Sequence, residues 1–104
     1  MHIMIFVTAK DVGEAEKIAR HLLDNKLAAC VNIINQVKSL FWWEGKLDNA
    51  AEVLMIIKSR EDLFDRLQNA VKSLHSYDVP EIIALPIVKG DKDYLNWIDK
   101  SVLT

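Results

Sequence analysis

The stretch Ser39-Leu40-Phe41-Trp42-Trp43-Glu44-Gly45-Lys46-Leu47 constrains this chain more than any other. Large apolar residues run without a break into a charged turn that contains a glycine. Neighbouring side chains on a strand point to opposite faces. Whichever face takes Leu40 and Trp42, the other takes Phe41 and Trp43. A chain of 104 residues has too little material to cover both faces of a hairpin tip. The stretch therefore predicts a partner surface, and the simplest partner is another copy of the same chain.

The length suits one domain spanning residues 1–104. A chain of this size buries roughly 65% of its unfolded surface, enough for a modest core. With 13 basic and 15 acidic residues the formal charge is −2, and no Lys/Arg cluster is present. Nucleic-acid binding is therefore not expected. Cys30 is the only cysteine, so no intrachain disulfide forms, which fits a reducing cytoplasm. The N-terminal apolar run is short and lacks a basic leader, so it reads as a strand rather than a signal peptide. The longest uncharged apolar stretch, Ile82 to Val88, is far too short to span a membrane.

Ile3 to Val7 reads as a strand buried on both faces. Asp11 and Glu14 form a capping pair for a helix over Val12 to Asp24. Ala15, Ile18, Ala19, Leu22 and Leu23 share one face of that helix, and Asn25 is its expected left-handed cap. Ala28 to Trp43 is a long strand, bulged near Asn35-Gln36. Gly45 supplies the positive φ of a tight turn, and Leu47 to Lys58 returns as the second arm. Ser59 and Asp62 read as a second capping pair. The helix they open carries Leu63, Phe64, Leu67, Ala70, Val71 and Leu74, and ends near His75. Tyr77 to Pro80 is a connector. Ile82 to Val88 is a strand that, because of Pro86, should lie at an edge or carry a bulge at that point. Asp91 to Val102 is a last helix, with Tyr94, Leu95, Trp97 and Ile98 inward. The order predicts an α+β, ferredoxin-like βαββαβ sandwich with an extra C-terminal helix and a long hairpin between its second and third strands.

Several segments together resemble the CutA family, the divalent-cation tolerance proteins. They are Lys26-Leu27-Ala28-Ala29-Cys30, Phe41 to Lys46, Ile57-Lys58-Ser59, His75 to Glu81, and Asp93-Tyr94-Leu95-Asn96-Trp97. The resemblance implies a tight homotrimer in which long hairpins pack across subunits, much as in the PII signalling proteins. It also implies a cytoplasmic place and a link to copper and other divalent metals, but no known reaction. Phe41, Trp42 and Trp43 are then expected at the trimer interface. In copper-binding members a Cys on the first strand and a His before the last His are the proposed ligands. Val7 and Leu74 stand at those positions here, and neither ligates a metal.

Candidate chemistry is sparse. His75 lies at a helix C-terminus near Glu81, and imidazole suits copper and zinc. The competing reading is that it caps the helix or bonds Tyr77. Cys30 is either a soft ligand or a small buried hydrophobe. His75, Glu81 and Cys30 are thus the metal candidates, for a copper or zinc ion not needed for folding, and Asp78 is a further donor. Lys58 and Tyr77 are candidates for lining a cleft between subunits. His2 and His21 read as surface residues. No phosphate loop, metal-binding helix motif or paired cysteine motif occurs, so an enzyme reading has no positive support. The function expected is a trimeric binding or signalling module in metal tolerance. A structural trimeric scaffold and an enzyme with a site between subunits are the alternatives. Convergence of Lys58, His75 and Glu81 on one pocket would favour the enzyme.

Overall fold

A computed structural model describes residues 1–104. Strands β1 (His2–Ala9), β2 (Cys30–Trp43), β3 (Lys46–Arg60) and β4 (Ile82–Pro86) form one antiparallel sheet in the order β2-β3-β1-β4. Helices α1 (Val12–Asp24) and α2 (Phe64–Leu74) belong to the two crossovers, and α3 (Lys92–Ser101) follows the last strand. This is the ferredoxin-like arrangement read from the sequence.

The register separates the two faces of the sheet. Ile5 pairs with Ile57 and Val7 with Met55, and all four are fully buried with Ile18, Leu22, Leu67 and Val71 of the helices. The other face carries Met4, Phe6, Leu54 and Ile56, which are only half-buried. The expectation that the first strand is buried on both faces therefore fails for a single chain. Helices α1 and α2 cover one side only. Helix α3 reaches the other side at one end, where His2 Nε2 lies 3.0 Å from Asp99 Oδ1. His2 is thus a tether for α3, not a free surface residue.

Local chemistry explains the ends. The Asp11 carboxylate accepts from Glu14 N at 2.8 Å, which caps α1. At its far end Lys26, with φ 55°, takes the left-handed place expected of Asn25. Leu27 N then reaches Leu22 O and Lys26 N reaches Leu23 O, the Schellman pattern. Ser59 does not cap a helix. It stays in β3, fully buried, and donates its hydroxyl to Leu27 O at 2.6 Å. The strand runs on to Arg60 and a 3-10 turn, Glu61–Leu63, leads into α2.

The hairpin follows its sequence closely. The β2–β3 pairing slips between Ile34 and Val37, where Gln36 has φ 62°. This is the expected bulge. Glu44 (φ 50°) and Gly45 (φ 77°) form the two-residue turn, both in the left-handed region that a hairpin of this twist needs. Strand β1 stops pairing at Ala9, opposite Val53. Residues 46–52 of β3 therefore overhang the sheet by about 23 Å. Trp42 is 74% exposed and Trp43 50%. Tyr94 and Trp97, expected inward, are also exposed, and in α3 only Ile98 is buried. Leu23 likewise points outward from α1.

Candidate functional site

The overhanging hairpin and the connector 75–81 enclose a groove of about 810 Å³ beside the end of β1. Thr8 and Glu52 belong to its lining, with Phe41, Trp42 and Trp43 on the hairpin side and Tyr77 to Glu81 on the connector side. The register places Phe41 opposite Asp48 and Val37 opposite Glu52, so one face of the hairpin supplies acids and rings together.

Two hydrogen-bonded groups hold the connector. The Glu14 carboxylate accepts from Lys10 N at 3.1 Å and from Ser76 N at 2.9 Å. Burial pushes its pKa up, but the Ser76 and Lys10 hydrogen bonds outweigh this, and its carboxyl titrates below the usual range. Downstream, Tyr77 Oη donates to Glu52 Oε2 at 2.8 Å. Burial, then the Glu52 hydrogen bond and the charges of Glu52, Glu14 and Asp11, push the Tyr77 hydroxyl up to about 12.

His75 is the residue around which this corner is built. Its side chain is 0% exposed. Tyr77 N–H donates to Nδ1 at 3.0 Å, and Nε2 lies 2.7 Å from the Thr8 carbonyl oxygen. An amide can only donate and a carbonyl can only accept. The ring is therefore the neutral tautomer with its proton on Nε2. An ion pair between Nδ1 and Glu14 Oε1, 3.9 Å away, would need a proton where the Tyr77 amide already points. Neither nitrogen keeps a lone pair free for a metal. The reading that His75 bonds Tyr77 describes this geometry.

The remaining candidates lie apart. Cys30 and Lys58 face each other across β2 and β3, with Lys58 Nζ 3.7 Å from Cys30 Sγ. Lys58 also donates to Asn32 Oδ1. Tyr94 of α3 adjoins the thiol, and burial followed by Cys30 raises its pKa. Lys58 pairs with Met4, four residues back along β1 from Thr8, or about 13 Å. Lys58, His75 and Glu81 do not converge, and Lys58 does not line the groove. Of the residues at the positions of the family's proposed copper ligands, Val7 is fully buried in the core and Leu74 packs half-buried against it. No three His, Cys, Asp or Glu side chains come close enough to hold a metal ion. A copper or zinc ion with the usual three or four protein ligands does not fit one chain. Sequence reasoning missed Glu52, Asp48 and Glu14 as members of this corner. The Asp11/Glu14 pair was the only signal, and it pointed to a helix cap.

The fold and this corner define a small ferredoxin-like protein with an overhanging hairpin and an acidic, aromatic groove. Residues 3–101 match the family model described as CutA1 divalent ion tolerance protein, and the chain belongs to that family. It is 51% identical over 102 residues to the divalent-cation tolerance protein CutA of Archaeoglobus fulgidus, covering 98% of this chain and 99% of the relative. A solved structure described as the periplasmic divalent cation tolerance protein CutA from Archaeoglobus fulgidus superposes with a TM-score of 0.96. It is 50% identical and covers 99% of this chain and 100% of that one. The chloroplastic Protein CutA 1 of Oryza sativa is 48% identical over 99 residues, which are 95% of this chain and 56% of that longer protein. No helix here is long and apolar enough to cross a membrane.

Proposed function

We propose that the chain acts as a PII-like homotrimer serving divalent-cation tolerance, as a binding or signalling module and not as an enzyme. One observation carries this reading. The outer sheet face is apolar and no helix covers most of it. Leu54 joins Ile34 to Thr8, and Phe6 joins Ile56 to Ile83, so the apolar residues adjoin across all four strands. Ile34, Ile83 and Leu85 are exposed in the single chain. Such a face, continued along the hairpin by Phe41 and Trp43, needs a partner. The count of three rests on the family resemblance. An obligate interface of this kind buries upward of ~2,000 Å².

The metal side of the reading rests on the relatives' names. His75, Glu81 and Cys30 lie apart, so a resident copper or zinc centre is left out of it. Tyr77 and Glu81 serve the groove, and Lys58 serves the opposite end of the sheet. The unpaired thiol of Cys30 supports a reducing, cytoplasmic setting, while relatives bear periplasmic and chloroplastic names.

The test is a pair of variants on the uncovered face, Phe6→Asp and Ile56→Asp, with mass measured by light scattering. Each is expected to yield smaller species than the wild type, because a carboxylate at an apolar contact loses its hydration. Variants that keep the wild-type mass and melting temperature would overturn the reading.

A further inference from the structure

The His75 ring leaves one position for a further proton. In its neutral form Nε2–H donates to the Thr8 carbonyl and Nδ1 accepts from the Tyr77 amide. A second proton has only Nδ1 to occupy. There it would point at the Tyr77 N–H, and two donors repel. A carboxylate stands beside that position. Glu14 Oε1 of α1 is 3.9 Å from Nδ1, and the Glu14 side chain is only 8% exposed. A shift of about 1 Å would bring the two to the distance of a charge-assisted hydrogen bond. The other titratable groups around the ring are a phenol and more acids. The Tyr77 ring lies 4.7 Å away on the connector, its hydroxyl is held by Glu52 of β3, and the charge of Asp11, the cap of α1, reaches it. Asp78 and Glu81 stand further along the connector, and β1 offers only the uncharged Thr8. No Lys or Arg lies within 4 Å of Glu14, Glu52 or Asp11.

From this we infer that His75 is a proton-operated latch on the connector: its protonation exchanges the Tyr77 amide for the Glu14 carboxylate and releases Tyr77 to Glu81. Imidazole is the side chain that ordinarily changes charge between pH 5 and 8. Glu14 titrates below the usual carboxylate range and so stays ionised throughout that interval. Two contacts change together. Nδ1 lets go of Tyr77 N, and the shift of that backbone draws the Tyr77 hydroxyl off Glu52 Oε2. Ser76 N, held by Glu14 Oε2, is the pivot. The core below, with Ile18, Leu22, Leu67 and Val71, carries no titrating group and keeps its packing. The latch lies within one chain, so it goes beyond the trimer reading and does not depend on it.

The experiment is an NMR titration of the full chain from pH 8 to pH 5. It follows the His75 ring nitrogens, the Tyr77 amide and, as a reference in α2, the Val71 amide. As the ring takes its second proton, protection of the Tyr77 amide from exchange, corrected for the intrinsic rate at each pH, is expected to fall about tenfold. That is the upper end of the net worth of one hydrogen bond. Val71 should keep its protection. Glu14→Gln removes the waiting charge, so release should need about tenfold more acid. His75→Gln has no titrating ring, and its Tyr77 amide should stay constant over the whole range. Should His75→Gln fail to fold, Glu14→Gln carries the comparison. The proposal is overturned by a ring that stays neutral down to pH 5, or by a charged ring whose Tyr77 amide stays protected. Release at the wild-type pH in Glu14→Gln, or loss of Val71 protection in the same step, would overturn it equally.

Discussion

Tyr77 Oη and Glu52 Oε2 meet at 2.8 Å, and this one bond ties the connector before β4 to the root of the hairpin. The two residues are 25 apart in sequence, one on β3 and the other in the connector between α2 and β4. The bond also fixes the width of the groove between them.

Breaking it has a signature at high pH. The Tyr77 hydroxyl is raised from 10.0 to about 12 in the folded chain. A raised folded value means that the unfolded chain loses its proton first. Its contribution to stability is full below pH 10 and is lost as pH rises through about 12. Tyr77→Phe should flatten the fall in melting temperature across that window. Tyr94, also raised, remains as an internal control. An unchanged alkaline profile in Tyr77→Phe would remove the bond from the account.

His75→Ala should destabilise strongly. The substitution leaves the Thr8 carbonyl and the Tyr77 amide without their partner beside a fully buried side chain. The loss is expected at about 2–4 kcal/mol in urea unfolding. Calorimetric titration with Cu(II) and Zn(II) should give the same isotherm as wild type, since both ring nitrogens are engaged. A stable variant that loses copper heat would make His75 a ligand instead.

Glu14 gives the opposite pH dependence. Its folded pKa lies below 4.5, the ordinary value. The unfolded chain therefore takes up the proton first on acidification. Stability is present above pH 4.5 and declines as pH falls through the lower folded value. Glu14→Gln should be less stable at neutral pH and less sensitive below pH 4.5. Hydrogen exchange at Ser76 N should rise in the same variant, because that amide loses its carboxylate. Equal exchange in both proteins would count against the clasp.

Much of the fold was legible because its signals are local. The bulge at Asn35-Gln36, the turn at Gly45 and the edge strand with Pro86 each follow from residues within a few positions of the feature. Ser59 misled because Ser59 and Asp62 have capping spacing, while the strand's continuation to Arg60 is fixed by pairing with His2 at the other end of the chain. Tyr94 and Trp97 misled for another reason. Helical period identifies an apolar face but not which body covers it. In the site, Tyr77 and Glu81 could be read from their motif, and the competing reading of His75 was already at hand. Glu52 could not, because its role depends on where β1 stops and where the connector crosses, both set by tertiary packing.

The most direct test of the central claim is sedimentation equilibrium of the wild-type protein over a wide range of concentration. The apolar outer face and the bare indoles of Trp42 and Trp43 lead us to expect a multimer that does not dissociate on dilution, and the family resemblance sets its mass at three times the 11.9 kDa of the chain. A single species at the mass of one chain would contradict the account.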